Sequence, residues 1–194
     1  MSPSAAVALV VIDVQVGFDD EAFWGPRSNP AFESNLTKLL DAFRASSLSP
    51  KPFIVHVAHH SLFPDSPLAS GPGAAFQDIA QPHDGEPVVI KNVNSAFIGT
   101  NLEALLRDRK IQKLYLCGLT TGHCVSTSVR MAANLRVCQG AWGKGEVVLV
   151  HDATAAHAAG GFDAETIHKV NVATLDGEFC RAATTEEVVK EVSS

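Results

Sequence analysis

Short apolar runs that alternate with segments of helical periodicity constrain this chain most. The first, Ala5 to Ile12, is apolar throughout and stops at Asp13. A run with no polar alternation is the pattern of a central parallel strand buried on both faces. Phe32, Leu36, Leu39, Leu40 and Phe43 then recur at helical spacing,. Pro50 and Pro52 precede a second strand, Phe53 to Val57, and a third, Val88 to Ile90, stops at Lys91. A helix carrying Leu102, Leu105 and Leu106 follows, with Thr100 and Glu103 spaced as a capping box,. Leu114 to Cys117 and Val147 to Val150 read as the fourth and fifth strands, the latter ending at His151 and Asp152. Ile167, Val170, Thr174 and Leu175 mark a helix with Asp163 as its N-cap. A last short strand is expected near Phe179 and Cys180, before a terminal helix capped by Thr184 and Glu187. Such alternation predicts an α/β fold: βαβ units, a mainly parallel sheet and helices on both faces. At 194 residues, with no repeat or composition break, the whole chain, 1–194, reads as one domain,.

Composition excludes several classes of partner. A net charge of -6 offers no electrostatic footprint for nucleic acid or an anionic membrane,. The N-terminal apolar run lacks a basic region before it and is too short to span a bilayer. Four unevenly spaced cysteines form neither a disulfide framework nor paired metal knuckles,. These features point to a cytoplasmic protein acting on a small molecule.

In open α/β sheets ligands bind beyond the carboxyl ends of the strands. Asp13, Lys91 and Cys124, far apart in sequence, all fall at or just past such ends. Cys124 is placed where Gly118 ends a strand and a helical pattern begins, with Val125, Val129 and Ala132 on one face. A thiol among the first N–H groups of a helix is expected to ionise more easily than a free one. Cys117, Cys138 and Cys180 read as small core residues,. A thiolate that attacks carbonyl carbon needs a base and then an acid, which Asp13 can be in turn. Lys91 would stabilise both anions. Phe18, Trp24 and Phe97 suggest an apolar-walled pocket, and His60, Thr121 and His123 complete the candidate substrate contacts. The stretch from His59 to Pro87 is longer than most connections, as functional loops are,.

Three segments carry a family resemblance: Val-Ile-Asp-Val-Gln-x-x-Phe at 11–18, Lys91 with Asn-Ser-Ala-Phe beyond it, and Cys-Gly-Leu-Thr-Thr-Gly-His-Cys-Val at 117–125. Together they resemble the isochorismatase-like cysteine hydrolases, which include nicotinamidases, N-carbamoylsarcosine, ureidoacrylate and maleamate amidohydrolases, and isochorismatases. The resemblance implies a six-stranded parallel sheet, an Asp13–Lys91–Cys124 triad and a homo-oligomer, dimer or tetramer. It also implies a non-proline cis peptide between Leu119 and Thr120, with the N–H groups of Thr120 and Cys124 forming an oxyanion hole.

The chain departs from the family pattern in three places. Gly122 stands where many relatives carry Asn, which would remove a side chain from the rim of the site. Cys138 to Gly145, containing Trp142, looks like an insertion, either a subunit contact or a flexible loop. After the second strand His56, His59 and His60 occur without the Asp-x-His of metal-binding relatives. His56 reads as structural, His59 and His60 as rim or solvated residues, and no metal or other cofactor is expected. The activity implied is hydrolysis of a small amide, ureido or carbamoyl bond through a thioester. Vinyl-ether hydrolysis of the isochorismate type, where an aspartate acid suffices, is the alternative; a non-catalytic binding protein on the same fold is the other.

Overall fold

Strand β1, Val7–Ile12, lies at the middle of a six-stranded, all-parallel sheet in a computed structural model that describes residues 5–193. The order is β3-β2-β1-β4-β5-β6. The other strands are β2 Phe53–His59, β3 Val88–Lys91, β4 Lys113–Leu119, β5 Glu146–Ala155 and β6 Arg181–Ala183. Helices α1 Glu21–Trp24, α2 Phe32–Ala45, α3 Leu102–Asp108, α4 Ser126–Asn134, α5 Ala164–Leu175 and α6 Thr185–Val192 complete the layers.

Successive β1 side chains point to opposite faces, and both faces are covered. Ala8, Val10 and Ile12 join one core cluster with Leu102 and Leu106 of α3, Val129 and Ala132 of α4 and Leu175 of α5. Val7, Leu9 and Val11 join the other with Phe32, Leu36, Leu39, Leu40 and Phe43 of α2 and Val188 and Val192 of α6. That is why β1 contains no polar residue. Each fully buried Leu or Phe contributes about 1.5–3 kcal/mol relative to exposure.

The chain moves from β1 outward to β2 and β3, then crosses back to place β4 on the other side of β1. The order therefore reverses between β1 and β4, where a crevice opens at the carboxyl edge. Val7–Ile12 pairs in register with Lys113–Gly118. At Gly118, φ is +112°, and a Cβ there would lie 2.1 Å from the Ile12 carbonyl oxygen. Only glycine fits that close approach, which brings the end of β4 beside Asp13. The long connection after β2 is anchored here too: Gln15 bridges Phe76, and the Val16 N–H bonds the Ala75 carbonyl.

Several local expectations need correction. The last strand begins at Arg181, just after the expected position, and β5 runs on through His151 and Asp152 to Ala155, with an irregular register against β4. Thr100 and Glu103 form no capping box: the Thr100 hydroxyl bonds back to the Ala96 carbonyl, and Glu103 turns to Arg107. Asp163 does cap α5, and Thr184 with Glu187 does form a box on α6. In the segment around Trp142, Gly140 and Gly143 exchange backbone hydrogen bonds, and the indole N–H donates to the Cys138 carbonyl at 2.8 Å. Those bonds close it as a local turn. Among the described residues, no helix is long and apolar enough to cross a membrane.

Candidate active site

β1 delivers Asp13, whose φ of +53° turns the chain out of the strand; aspartate tolerates this left-handed conformation better than most residues,. β3 ends in Lys91, and β4 leads through a cis Leu119–Thr120 peptide bond into Cys124. All three converge: Lys91 Nζ lies 2.6 Å from Asp13 Oδ2 and 3.2 Å from Cys124 Sγ. Asp13 and Lys91 are buried completely or nearly so, and Cys124 is 8% exposed.

The helix start is not where the sequence pattern puts it. Thr121–Val125 form a single π-helical turn, and regular α4 begins only at Ser126. Cys124 thus sits in a wide turn stitched by bonds from the His123 and Val125 N–H groups to the Thr120 carbonyl. Its acidity also differs from expectation. Burial pushes the thiol up to about 12, Asp13 adds to the rise, and Lys91 opposes it. A dry pocket disfavours the thiolate, and the single ammonium beside it works against that,. Burial likewise raises Asp13 above the ordinary carboxylate range, with Lys91 pulling against it.

A third group touches the ammonium. His59 Nδ1 lies 3.0 Å from Lys91 Nζ, and burial and that positive charge bring the imidazole down to about 4. The donor atoms of Asp13, His59 and Cys124 lie within 4.8 Å of one another, close enough to hold a metal ion. Lys91 Nζ is within 3.2 Å of all three. A metal there would have to displace a charged lysine, so the donor set suits an ammonium better than a divalent cation.

Above the thiol opens a cavity of about 570 Å³. Phe18, Trp24, Thr120 and His123 line it together with Cys124 and with His59, expected at the rim or in solvent; Phe23, Phe63 and His157, which sequence reasoning had not assigned to it, line it too. The ring of Trp24 lies 5.0 Å from Phe18 and 5.8 Å from His157, and its N–H donates to the Gly17 carbonyl. Three expected substrate contacts are not in this lining. Phe97 belongs to the core cluster beneath the site. Thr121 is fully buried, and its hydroxyl is 2.8 Å from His168 of α5. His60 lies one residue beyond β2, where alternation separates it from His59; its backbone N–H bonds the Lys91 carbonyl,. Gly122 needs a similar correction. A Cβ there would lie 3.3 Å from Ile167 of α5, so the absent side chain concerns packing on α5 rather than the rim. His56 is structural: buried, it contacts Glu86 at 2.8 Å.

The chain belongs to the isochorismatase family of hydrolases, whose isochorismatase domain model matches residues 7–187. The isochorismatase family protein YrdC of Bacillus subtilis is 37% identical over 190 residues, 95% of each chain. A crystal structure of an isochorismatase-family hydrolase from Chromobacterium violaceum superposes with a TM-score of 0.83 at 34% identity, covering 99% of this chain and 95% of that one. Over 59 residues, 30% of this chain and 22% of the relative, the N-carbamoylsarcosine amidase of Arthrobacter is 44% identical.

Proposed function

We propose that this chain hydrolyses a small amide, ureido or carbamoyl substrate through a thioester on Cys124. One observation carries the reading: a single buried ammonium contacts both the Asp13 carboxylate, at 2.6 Å, and the Cys124 thiol, at 3.2 Å. The Asp13 carboxylate takes the thiol proton as sulfur attacks the carbonyl carbon, and Lys91 stabilises the negative charge that passes between them. The N–H groups of Thr120 and Cys124 receive the oxyanion. As the tetrahedral adduct collapses, its C–N bond breaks, and the proton held by Asp13 goes to the leaving nitrogen. Asp13 then deprotonates a water that attacks the thioester; the acid product leaves and the proton returns to sulfur. No metal or cofactor enters this route.

The raised thiol pKa fits such a cycle, because proton transfer and attack occur together rather than from a standing thiolate. The lining favours an amide over the vinyl-ether alternative. Among the described residues no Lys or Arg side chain lines the cavity; its lining includes the rings of Phe18, Trp24, Phe63 and His157 and one acidic residue, Asp65. An uncharged, flat substrate suits these walls, and a dicarboxylate such as isochorismate does not. The chain is taken as cytoplasmic, with no nucleic-acid or membrane partner. Homo-oligomerisation through the β3 edge is consistent with Val88 and Ile90, about half exposed there. Ammonia release from uncharged amides and ureides tests the proposal. Cys124→Ala should reduce it by about six orders of magnitude, the scale of losing a covalent nucleophile. Full turnover in that variant would end the thioester reading.

A further inference from the structure

We infer that His59 is a positioning residue, which fixes the Lys91 ammonium by accepting its third N–H and so sets the acidity of Cys124. The inference rests on the Asp13–Lys91–Cys124 reading above. An ammonium has three N–H donors and no acceptor. Among the described residues three partner atoms surround it: Asp13 Oδ2 at 2.6 Å, Cys124 Sγ at 3.2 Å and His59 Nδ1 at 3.0 Å. Were the third position empty, the buried ammonium would rotate or lose part of its solvation, and its pull on sulfur would vary.

The tautomer follows from the partners. A nitrogen that accepts from an ammonium carries no proton, so the ring proton is on Nε2. That leaves Nε2–H as the ring's donor, the proton that the nearby Val93 backbone favours,. An imidazolium would set a second cation against Lys91, and burial together with that positive charge pushes the pKa of His59 down to about 4.

The backbone of His59 is held as firmly. Gln15, fully buried, accepts the His59 N–H on Oε1 at 2.8 Å. Its Nε2 donates to the His59 carbonyl at 3.1 Å and to the Ala74 carbonyl at 2.8 Å. Gln15 lies two residues beyond Asp13, so the end of β1 supplies both the carboxylate and the clamp. In the sheet His59 pairs with Lys91 itself across β2 and β3, which places the imidazole against that side chain. His60, next in the chain, has no such pairing.

The test reads thiol acidity without a substrate, as the pH dependence of Cys124 alkylation by iodoacetamide. In His59→Ala the profile should move to higher pH by about one unit, because the ammonium loses an acceptor and stabilises the thiolate less. Where turnover is measured, kcat should fall about tenfold or more with little change in KM, the scale for groups that orient a functional side chain. His59→Asn, which keeps an acceptor near the Nδ1 position, should restore both. Superposable alkylation profiles for wild type and His59→Ala would overturn the inference, as would equal loss in the Ala and Asn variants. If the Ala variant does not fold, nitrogen NMR of the wild-type ring decides: a bare Nδ1 and protonated Nε2 at pH 7 support it, and the opposite tautomer or an imidazolium refutes it. A Cys124 no more reactive than Cys117, Cys138 or Cys180 in the wild type would instead defeat the catalytic reading.

Discussion

The two edges of the sheet hold the same kinds of charge and use them differently. At the carboxyl edge Asp13 and Lys91 form one ion pair with both side chains wholly shielded from solvent. At the amino edge Lys113, Glu146 and Arg181, the first residues of β4, β5 and β6, join Glu191 of α6 in a ring of four ion pairs. The Tyr115 hydroxyl adds a hydrogen bond to Glu191 at 2.7 Å. Side chains in that ring are 29–38% exposed. Water shares the work of solvating them, so each pair is worth little. In the buried pair every atom of solvation comes from the protein, and the Asp13 carboxylate has Lys91 as its one ionic partner among the described residues. An under-solvated charge is reactive, whereas a well-shared one is only adhesive. A cavity of about 660 Å³ beside the amino ends of β5 and β6 touches none of the triad, as this division of labour leads one to expect.

Removing one partner at a time should break this contrast most visibly at the buried edge. Lys91→Met leaves an uncompensated carboxylate and should cost about 3–5 kcal/mol in urea unfolding, besides abolishing turnover. An intermediate case sharpens the comparison: Glu86, 10% exposed, is held by the Arg44 guanidinium and His56. Despite the opposing cost of burial, those bonds and the His83 N–H bring its carboxyl down from 4.5 to about 2. A carboxylate whose folded value is depressed adds stability that is complete above its unfolded value and is lost as pH falls toward the folded one. The wild type should therefore lose about 2 kcal/mol more than Glu86→Gln between pH 4.5 and 2, measured by urea midpoints across that range. At the exposed edge Lys113→Met should change stability by under about 1 kcal/mol and leave activity intact. A loss there as large as that for Lys91→Met would dissolve the contrast between the edges.

Much of this arrangement was legible in the sequence, for reasons that differ by residue. β1 was recognisable because two cores leave it no polar face. Asp13, Lys91 and Cys124 were legible because each follows an apolar run, and parallel topology sends all such positions to one edge. His59 was not, because a histidine pair reads alike until strand register sets one member against Lys91. Thr121 lies three residues before Cys124 and Phe97 six after Lys91, but the π-turn sends one toward α5 and packing takes the other into the core. The acidity of Cys124 was misjudged for a related reason: proximity to a helix start is visible in a pattern, and desolvation by distant elements is not.

The pairing of β1 with β4 has a consequence for how activity is acquired. Asp13, His59 and Lys91 all belong to the first half of the chain, and β1, β2 and β3 can pair among themselves without β4. The thiol and its turn are brought in only when Val7–Ile12 closes against Lys113–Gly118, a contact of long sequence separation. Such closures carry a large entropic penalty before any contact rewards them, and they slow folding. A nascent chain that has not yet completed β4 therefore holds Asp13, His59 and Lys91 without the thiol they surround. Refolding molecules bring the four side chains together only once this central, sequence-distant seam has shut.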